Sequence, residues 1–88
     1  MKEIIKKINY KEIEELLKKE KIDVDEKLIK EKILELFSDI IFLYNNNNKN
    51  PFVAWKWFAF LIDDNQLFLY LRKGKKIIKY YKWDIVAD

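Results

Sequence analysis

The sequence contains no cysteine and no histidine. Without cysteine there is neither a disulfide framework nor a thiolate metal site, and without histidine the commonest general base is missing. Threonine is absent and Ser38 is the only serine, so a nucleophile would have to be Ser38, a lysine, a tyrosine or a carboxylate. The single glycine, Gly74, cannot form a glycine-rich phosphate loop. We therefore expect no catalytic residues, no cofactor and a chain that is not an enzyme.

Two clusters of acidic residues are the remaining candidates for a metal site. Asp23, Asp25 and Glu26 precede a predicted helix, and Asp63 and Asp64 lie in a predicted turn. Carboxylate oxygens are suitable ligands for Mg²⁺. Both clusters also stand where helix caps and turns favour acidic side chains, so we interpret them as structural and expect no bound metal.

Long hydrophobic runs are also missing. Uncharged apolar runs such as residues 40–44 are far shorter than the ~20 residues that a membrane-spanning helix needs. The N-terminus lacks the apolar core of a signal peptide, and no N-glycosylation sequon is present. These features predict an intracellular, cytoplasmic protein, and 88 residues predict one domain. We divide it into a helical part (1–44), an asparagine-rich loop (45–51) and a β-meander (52–88).

The first predicted helix has a complete start signal. Asn9 is the predicted N-cap and Glu12 completes a capping box, while Ile8 and Ile13 can form a hydrophobic staple. The preceding residues, 1–8, are compatible with either a short helix or an edge strand.

A second helix is predicted to begin after the sequence DVDE. Either Asp25 alone, or Asp23 together with Glu26, can cap it. Apolar residues then recur at helical spacing and predict one buried stripe. The stripe consists of Ile29, Ile33, Leu36, Phe37, Ile40 and Tyr44.

The second half of the sequence predicts three β-strands, at about residues 52–62, 67–72 and 75–86. Residues 63–66 form one predicted turn, and Lys73 with Gly74 form the other, where glycine supplies the positive φ. The predicted fold is therefore α+β, with two N-terminal helices packed on one face of an antiparallel three-stranded β-meander.

Alternation along these strands assigns each side chain to a face. The two turns pair Ala59 with Tyr70, Tyr70 with Ile77, and Phe68 with Lys79. The predicted core face contains Phe58, Phe60, Ile62, Leu67, Leu69, Leu71, Ile78 and Tyr80. The opposite face is predicted to carry all three tryptophans, and its binding residues are Trp55, Trp57, Phe68, Tyr70, Arg72, Lys75, Lys79, Tyr81 and Trp83.

This predicted aromatic and basic face suggests an interaction site. Aromatic residues and arginine are enriched in protein–protein hot spots, so the preferred interpretation is a small inhibitor or adaptor that binds a protein partner. The lysine-rich, arginine-poor composition is typical of AT-rich genes and suggests a viral or mobile-element origin, whereas tryptophan is not favoured by such codons. The alternatives are binding of single-stranded nucleic acid through the same face, homodimerisation, or coverage of the face by residues 1–8. No membrane partner is expected.

Overall fold

The computed structural model describes residues 2–85. Three helices come first: α1 spans Lys2–Lys7, α2 spans Tyr10–Lys19 and α3 spans Glu26–Asn45. Four strands follow: β1 spans Phe52–Trp55, β2 Phe58–Asp63, β3 Gln66–Lys73 and β4 Lys76–Asp84. The strands form one antiparallel sheet in the order β1-β2-β3-β4. The α+β class is confirmed, but the sheet has four strands rather than the three predicted, and residues 2–7 add a short helix.

Polar side chains cap the two longer helices where the sequence predicts. Asn9 Oδ1 accepts a hydrogen bond from the Glu12 backbone N–H at 3.1 Å, and Asp25 Oδ1 accepts one from Leu28 N–H at 2.8 Å. These bonds satisfy N–H groups that have no partner in the first turn of a helix. The Glu12 side chain does not complete the predicted capping box, because its carboxylate is bonded to β4 instead.

The predicted strand 52–62 is divided by a two-residue hairpin. Trp55 pairs with Phe58, so Lys56 and Trp57 form the turn, and Lys56 has a φ of 44°. Neither residue is typical of a tight turn, which explains why the apolar sequence predicts one continuous strand.

The turn between β2 and β3 has the predicted register. Ile62 pairs with Leu67, and Ala59 pairs with Tyr70. Asp64 and Asn65 form the turn with φ values of 49° and 59°, in the left-handed region that Asn and Asp tolerate better than most residues. The side-chain faces of β2 and β3 are therefore as predicted.

The register between β3 and β4 differs from the prediction. Gly74 and Lys75 form the turn, because Lys73 pairs with Lys76 and Arg72 with Ile77. A β-bulge follows, since Leu71 pairs with Lys79 and leaves Ile78 as the extra residue. As a result Tyr70 lies opposite Tyr80 rather than Ile77, and Phe68 lies opposite Lys82 rather than Lys79.

The core lies between the helices and one face of the sheet. α3 packs on β1, β2 and α2. The sheet residues that the sequence assigns to the core and that are fully or almost fully buried are Phe58, Phe60, Ile62, Leu67, Leu69 and Leu71. The sequence alone also predicts Tyr80 in the core, but the bulge places it on the opposite face with 53% of its surface exposed. Among the described helices, none has both the length and the apolar character required to cross a membrane.

Candidate binding surface

The face of the sheet that points away from the helices is here called the outer face. Cross-strand pairing arranges its side chains in rows that run across the strands. The first row is Phe52, Leu61, Phe68 and Lys82, and the second is Ala54, Ala59, Tyr70 and Tyr80. Beyond the second row, Arg72 lies opposite Ile77. No helix of the described chain covers this face, and Phe52 and Ile77 are 57% and 51% exposed.

Three aromatic rings form the centre of the outer face. The centroids of Phe68 and Tyr70 are 6.1 Å apart with nearly parallel planes, and Tyr80 lies 6.3 Å from Phe68 and 5.8 Å from Tyr70. These separations lie within the range of favourable ring–ring contact. The cluster is therefore a preformed, rigid, largely apolar surface whose two tyrosines also carry hydroxyl groups.

Charges of opposite sign lie at the two ends of the outer face. Asp63 and Asp64 stand at the β2–β3 turn, and Asp84 lies beside Gln66, whose Nε2 donates to Asp84 Oδ1 at 2.9 Å. The other end carries Lys56, Arg72 and Lys75 around the two opposite turns. Within residues 2–85, none of these six charged residues takes part in an intramolecular ion pair.

Arg72 is the only guanidinium of the chain. Its backbone N–H donates to the Trp57 carbonyl at 2.9 Å, which ties β3 to the β1–β2 turn. Its side chain is half-buried, and the buried Nε atom has no hydrogen-bond partner in the described structure. Packing rather than a hydrogen bond to Nε therefore holds this side chain.

The outer face retains only part of the predicted binding set. Phe68, Tyr70 and Arg72 lie on it as predicted, whereas Trp57 and Lys75 belong to turns. Placement of Trp55 there was wrong, because its pairing with Phe58 puts it on the helix-facing side. The amino group of Lys32, a residue of α3, lies 5.0 Å from the centroid of the Trp55 ring.

The remaining three predicted residues, Lys79, Tyr81 and Trp83, also lie on the helix-facing side, opposite buried residues of β3. Their placement on the outer face was wrong because the bulge shifts the alternation of β4 by one residue. Lys79 Nζ and Tyr81 Oη both donate to Glu12 Oε1, at 2.7 Å and 2.9 Å. The rings of Tyr81 and Trp83 stack 6.1 Å apart.

The contacts of Glu12 shift two pKa values in opposite directions. The hydrogen bond from Lys79, followed by that from Tyr81, holds the pKa of Glu12 below its usual value. Burial, followed by the bond to Glu12, raises the pKa of Tyr81. The group is therefore a structural link between α2 and β4.

Residues 2–8 do not cover the outer face. Ile4 and Ile8 are buried in the core, and Lys7 and Ile8 line a cavity of about 110 Å³ together with Tyr81 and Trp83. This segment therefore extends the helix layer over the C-terminal half of β4, and Met1 lies outside the described residues.

Sequence reasoning missed Phe52, Tyr80 and Lys82 as members of the outer face. Phe52 could be found only by recognising a hairpin at Lys56 and Trp57, which lack the usual turn residues. The placement of Tyr80 and Lys82 depends on the bulge at Ile78. Because β4 has aromatic residues at both even and odd positions, its periodicity does not show which set faces the core.

A smaller apolar patch lies on α3. Phe42 is 68% exposed and Leu34 is 38% exposed, with Ser38 between them at helical spacing. A polar residue interrupts this pair, and exposed apolar side chains at isolated positions are common on monomeric proteins. The outer face is the larger candidate.

Among the described residues, no group of three or more acidic side chains could hold a metal ion. Comparisons of the chain with protein-family models, with curated proteins and with solved structures give no match.

Proposed function

We propose that this chain is a non-catalytic protein-binding module that docks through the outer face of its sheet. The observation that carries the proposal is the ring cluster of Phe68, Tyr70 and Tyr80 on a sheet face without a covering layer. Contiguous exposed apolar surface of this kind marks interaction sites, and tyrosine loses little conformational entropy for the area it buries. A module of this kind acts by occupying a surface, as an inhibitor or an adaptor does.

Binding of single-stranded nucleic acid is the less favoured function. It would require a continuous basic path for phosphates beside the stacked rings. Lys79 lies on the other side of the sheet in an ion pair with Glu12, and Asp63, Asp64 and Asp84 occupy one end of the outer face. Among the described residues, Arg72 and Lys82 are then the only bases that the strand pairing places on this face, and Lys56 and Lys75 lie in turns at its edge.

Photo-crosslinking in the native host would test the proposal. A photoreactive phenylalanine analogue replaces Phe52 on the outer face, or Phe42 on α3 as the matched control. We expect position 52 to form a protein adduct that position 42 does not form, and Tyr80→Glu to remove that adduct because it places a charge within the docking surface. The fold of each variant is checked by circular dichroism.

The other outcomes of this experiment would contradict the proposal. Adducts with nucleic acid alone would support the alternative function, particularly if anisotropy shows that binding to an oligonucleotide weakens steeply with salt. An absence of adducts specific to position 52 would mean that the outer face binds no macromolecule.

A further inference from the structure

We infer that the partner on the outer face is a second copy of this chain, related by a two-fold axis that runs across the strands. The inference rests on the proposed function, since it identifies the occupant of the same surface. In this arrangement the two sheets pack face to face with their strands in opposite directions, and β1 covers β1 while β4 covers β4.

The distribution of charge on the outer face favours this arrangement. Asp63, Asp64 and Asp84 lie at one end, and Lys56, Arg72 and Lys75 at the other. A two-fold axis parallel to the strands would place acid on acid and base on base. An axis across the strands places each acidic end over the basic end of the other copy, and complementary potentials both attract the copies and fix their register.

The rows of side chains are complementary in size under the same rotation. The axis passes between the row of Phe52, Leu61, Phe68 and Lys82 and the row of Ala54, Ala59, Tyr70 and Tyr80. Each row of one copy therefore faces the other row of the second copy.

Large side chains then oppose small ones on two strands. Phe52 and Leu61 of one copy lie over Ala54 and Ala59 of the other. On β4, Lys82 of one copy lies over the Tyr80 ring of the other, an arrangement suited to a cation–π contact. Interdigitation of this kind fills the ~10 Å layer between two packed sheets.

The two rows at the ends of the outer face also lie over each other. One is formed by Asp63, Gln66 and Asp84, and the other by Arg72 and Ile77. Gln66 and Asp84 of one copy lie over Arg72 and Ile77 of the other. The acidic side chain is thereby brought next to the Arg72 guanidinium, which makes no ion pair within residues 2–85.

The area of the face sets the expected strength of association. Four strands about 4.8 Å apart and four rows about 6.8 Å apart give a footprint of roughly 500 Å² on each copy. The two copies together bury about 1,000 Å², at the lower limit of a specific interface, so the dimer should be reversible and concentration-dependent.

Sedimentation velocity on the full chain, at concentrations from about 1 μM to about 1 mM, tests the inference. We expect a monomer–dimer equilibrium in the wild type. Tyr80→Glu and, independently, Phe52→Glu should give monomers, whereas Phe42→Glu on α3 should associate like the wild type. Both outer-face positions are more than half exposed, so the fold should tolerate the changes.

A charge-exchange experiment tests the orientation. Arg72→Glu and Asp84→Arg should each weaken self-association by about tenfold or more, because each creates like-charge contacts at both ends of the dimer. An equimolar mixture of the two variants should dimerise again, since every end contact in the mixed dimer joins opposite charges.

Three results would overturn the inference. The wild type could remain a monomer throughout, the dimer could persist in both outer-face variants, or the mixture could fail to recover association. A wild-type monomer that still forms a specific protein adduct from position 52 would overturn only the identity of the partner and leave the proposed function standing.

Discussion

Glu12 links α2 to β4 through two hydrogen bonds to one carboxylate oxygen. Because these contacts lower the pKa of Glu12 in the folded state, they stabilise the fold when Glu12 is charged. The contribution is present above the ordinary pKa of 4.5 and is lost as the pH falls through the lower pKa of the folded state. We expect Glu12→Gln to reduce the free energy of unfolding near neutral pH, and the difference from wild type to shrink as the solution becomes more acidic.

Urea denaturation of both chains at about pH 7 and about pH 2 measures this difference. Glu31→Gln is the control, because Glu31 is exposed on α3 and makes no ion pair within residues 2–85. If the difference in free energy of unfolding between Glu12→Gln and the wild type does not change with pH, the link between α2 and β4 does not depend on the charge of Glu12.

The Asn9 cap contributes to helix stability in a different way. Its side chain accepts the Glu12 N–H, one of the donors that the first turn of α2 leaves unpaired. Asn9→Ala should therefore lower the free energy of unfolding by about 1 kcal/mol, measured by chemical denaturation. Asn9→Asp, which retains an acceptor, should restore most of the loss, and an unchanged stability in Asn9→Ala would mean that the cap is dispensable.

Among the elements, β4 depends most on a single irregularity. The bulge at Ile78 directs Tyr81 toward α2 and Tyr80 toward the outer face. Tyr81→Ala should therefore destabilise the monomer more than Tyr80→Ala, because Tyr81 is half-buried, packs on the core and bonds to Glu12. We expect a cost of about 2 kcal/mol or more for Tyr81→Ala and about 1 kcal/mol or less for Tyr80→Ala.

Thermal or chemical unfolding of the two variants at low protein concentration, where the monomer dominates, provides the comparison. Tyr80 and Tyr81 are adjacent tyrosines that lie on opposite faces of the sheet. If Tyr80→Ala were the more destabilising change, β4 would have the regular pairing without a bulge that its sequence alone predicts.

Much of the fold could be predicted from local signals in the sequence. The caps at Asn9 and Asp25, the stripe of α3 and the β2–β3 register are confirmed, because each depends on residues close together in the chain. The hairpin at Lys56 and the bulge at Ile78 could not be predicted. Lys56 and Trp57 are not typical turn residues, and the periodicity of β4 does not select a face. Together the hairpin and the bulge exchange the faces of Trp55, Tyr81 and Trp83.

At the scale of the whole molecule, the lack of histidine and cysteine limits how stability responds to pH. No side chain has an ordinary pKa between those of the carboxyl groups and those of tyrosine and lysine. The side chains should therefore leave the free energy of unfolding of the monomer constant to about 0.5 kcal/mol between about pH 6 and about pH 9.

Above this plateau the stability should fall, partly because of Tyr81. Its pKa is raised in the folded state from an ordinary value of 10.0, so the fold favours the neutral phenol and loses stability as the pH rises above 10.0. Tyr81→Phe should therefore flatten the alkaline decline relative to the wild type. Denaturation curves of both chains across this range check the expectation, and equal slopes in the variant and the wild type would contradict it.

The bulge also has a consequence for how this gene can change length. If the codon for Ile78 were lost, Leu71 would still meet Lys79 and Arg72 would still meet Ile77, so the hairpin would close without exposing any new side chain. Loss of a codon between Lys79 and Asp84 would instead exchange the faces of the residues beyond it. Position 78 is therefore the place on β4 where a deletion is best tolerated, and the rest of the strand is where a single deletion would alter the surface most.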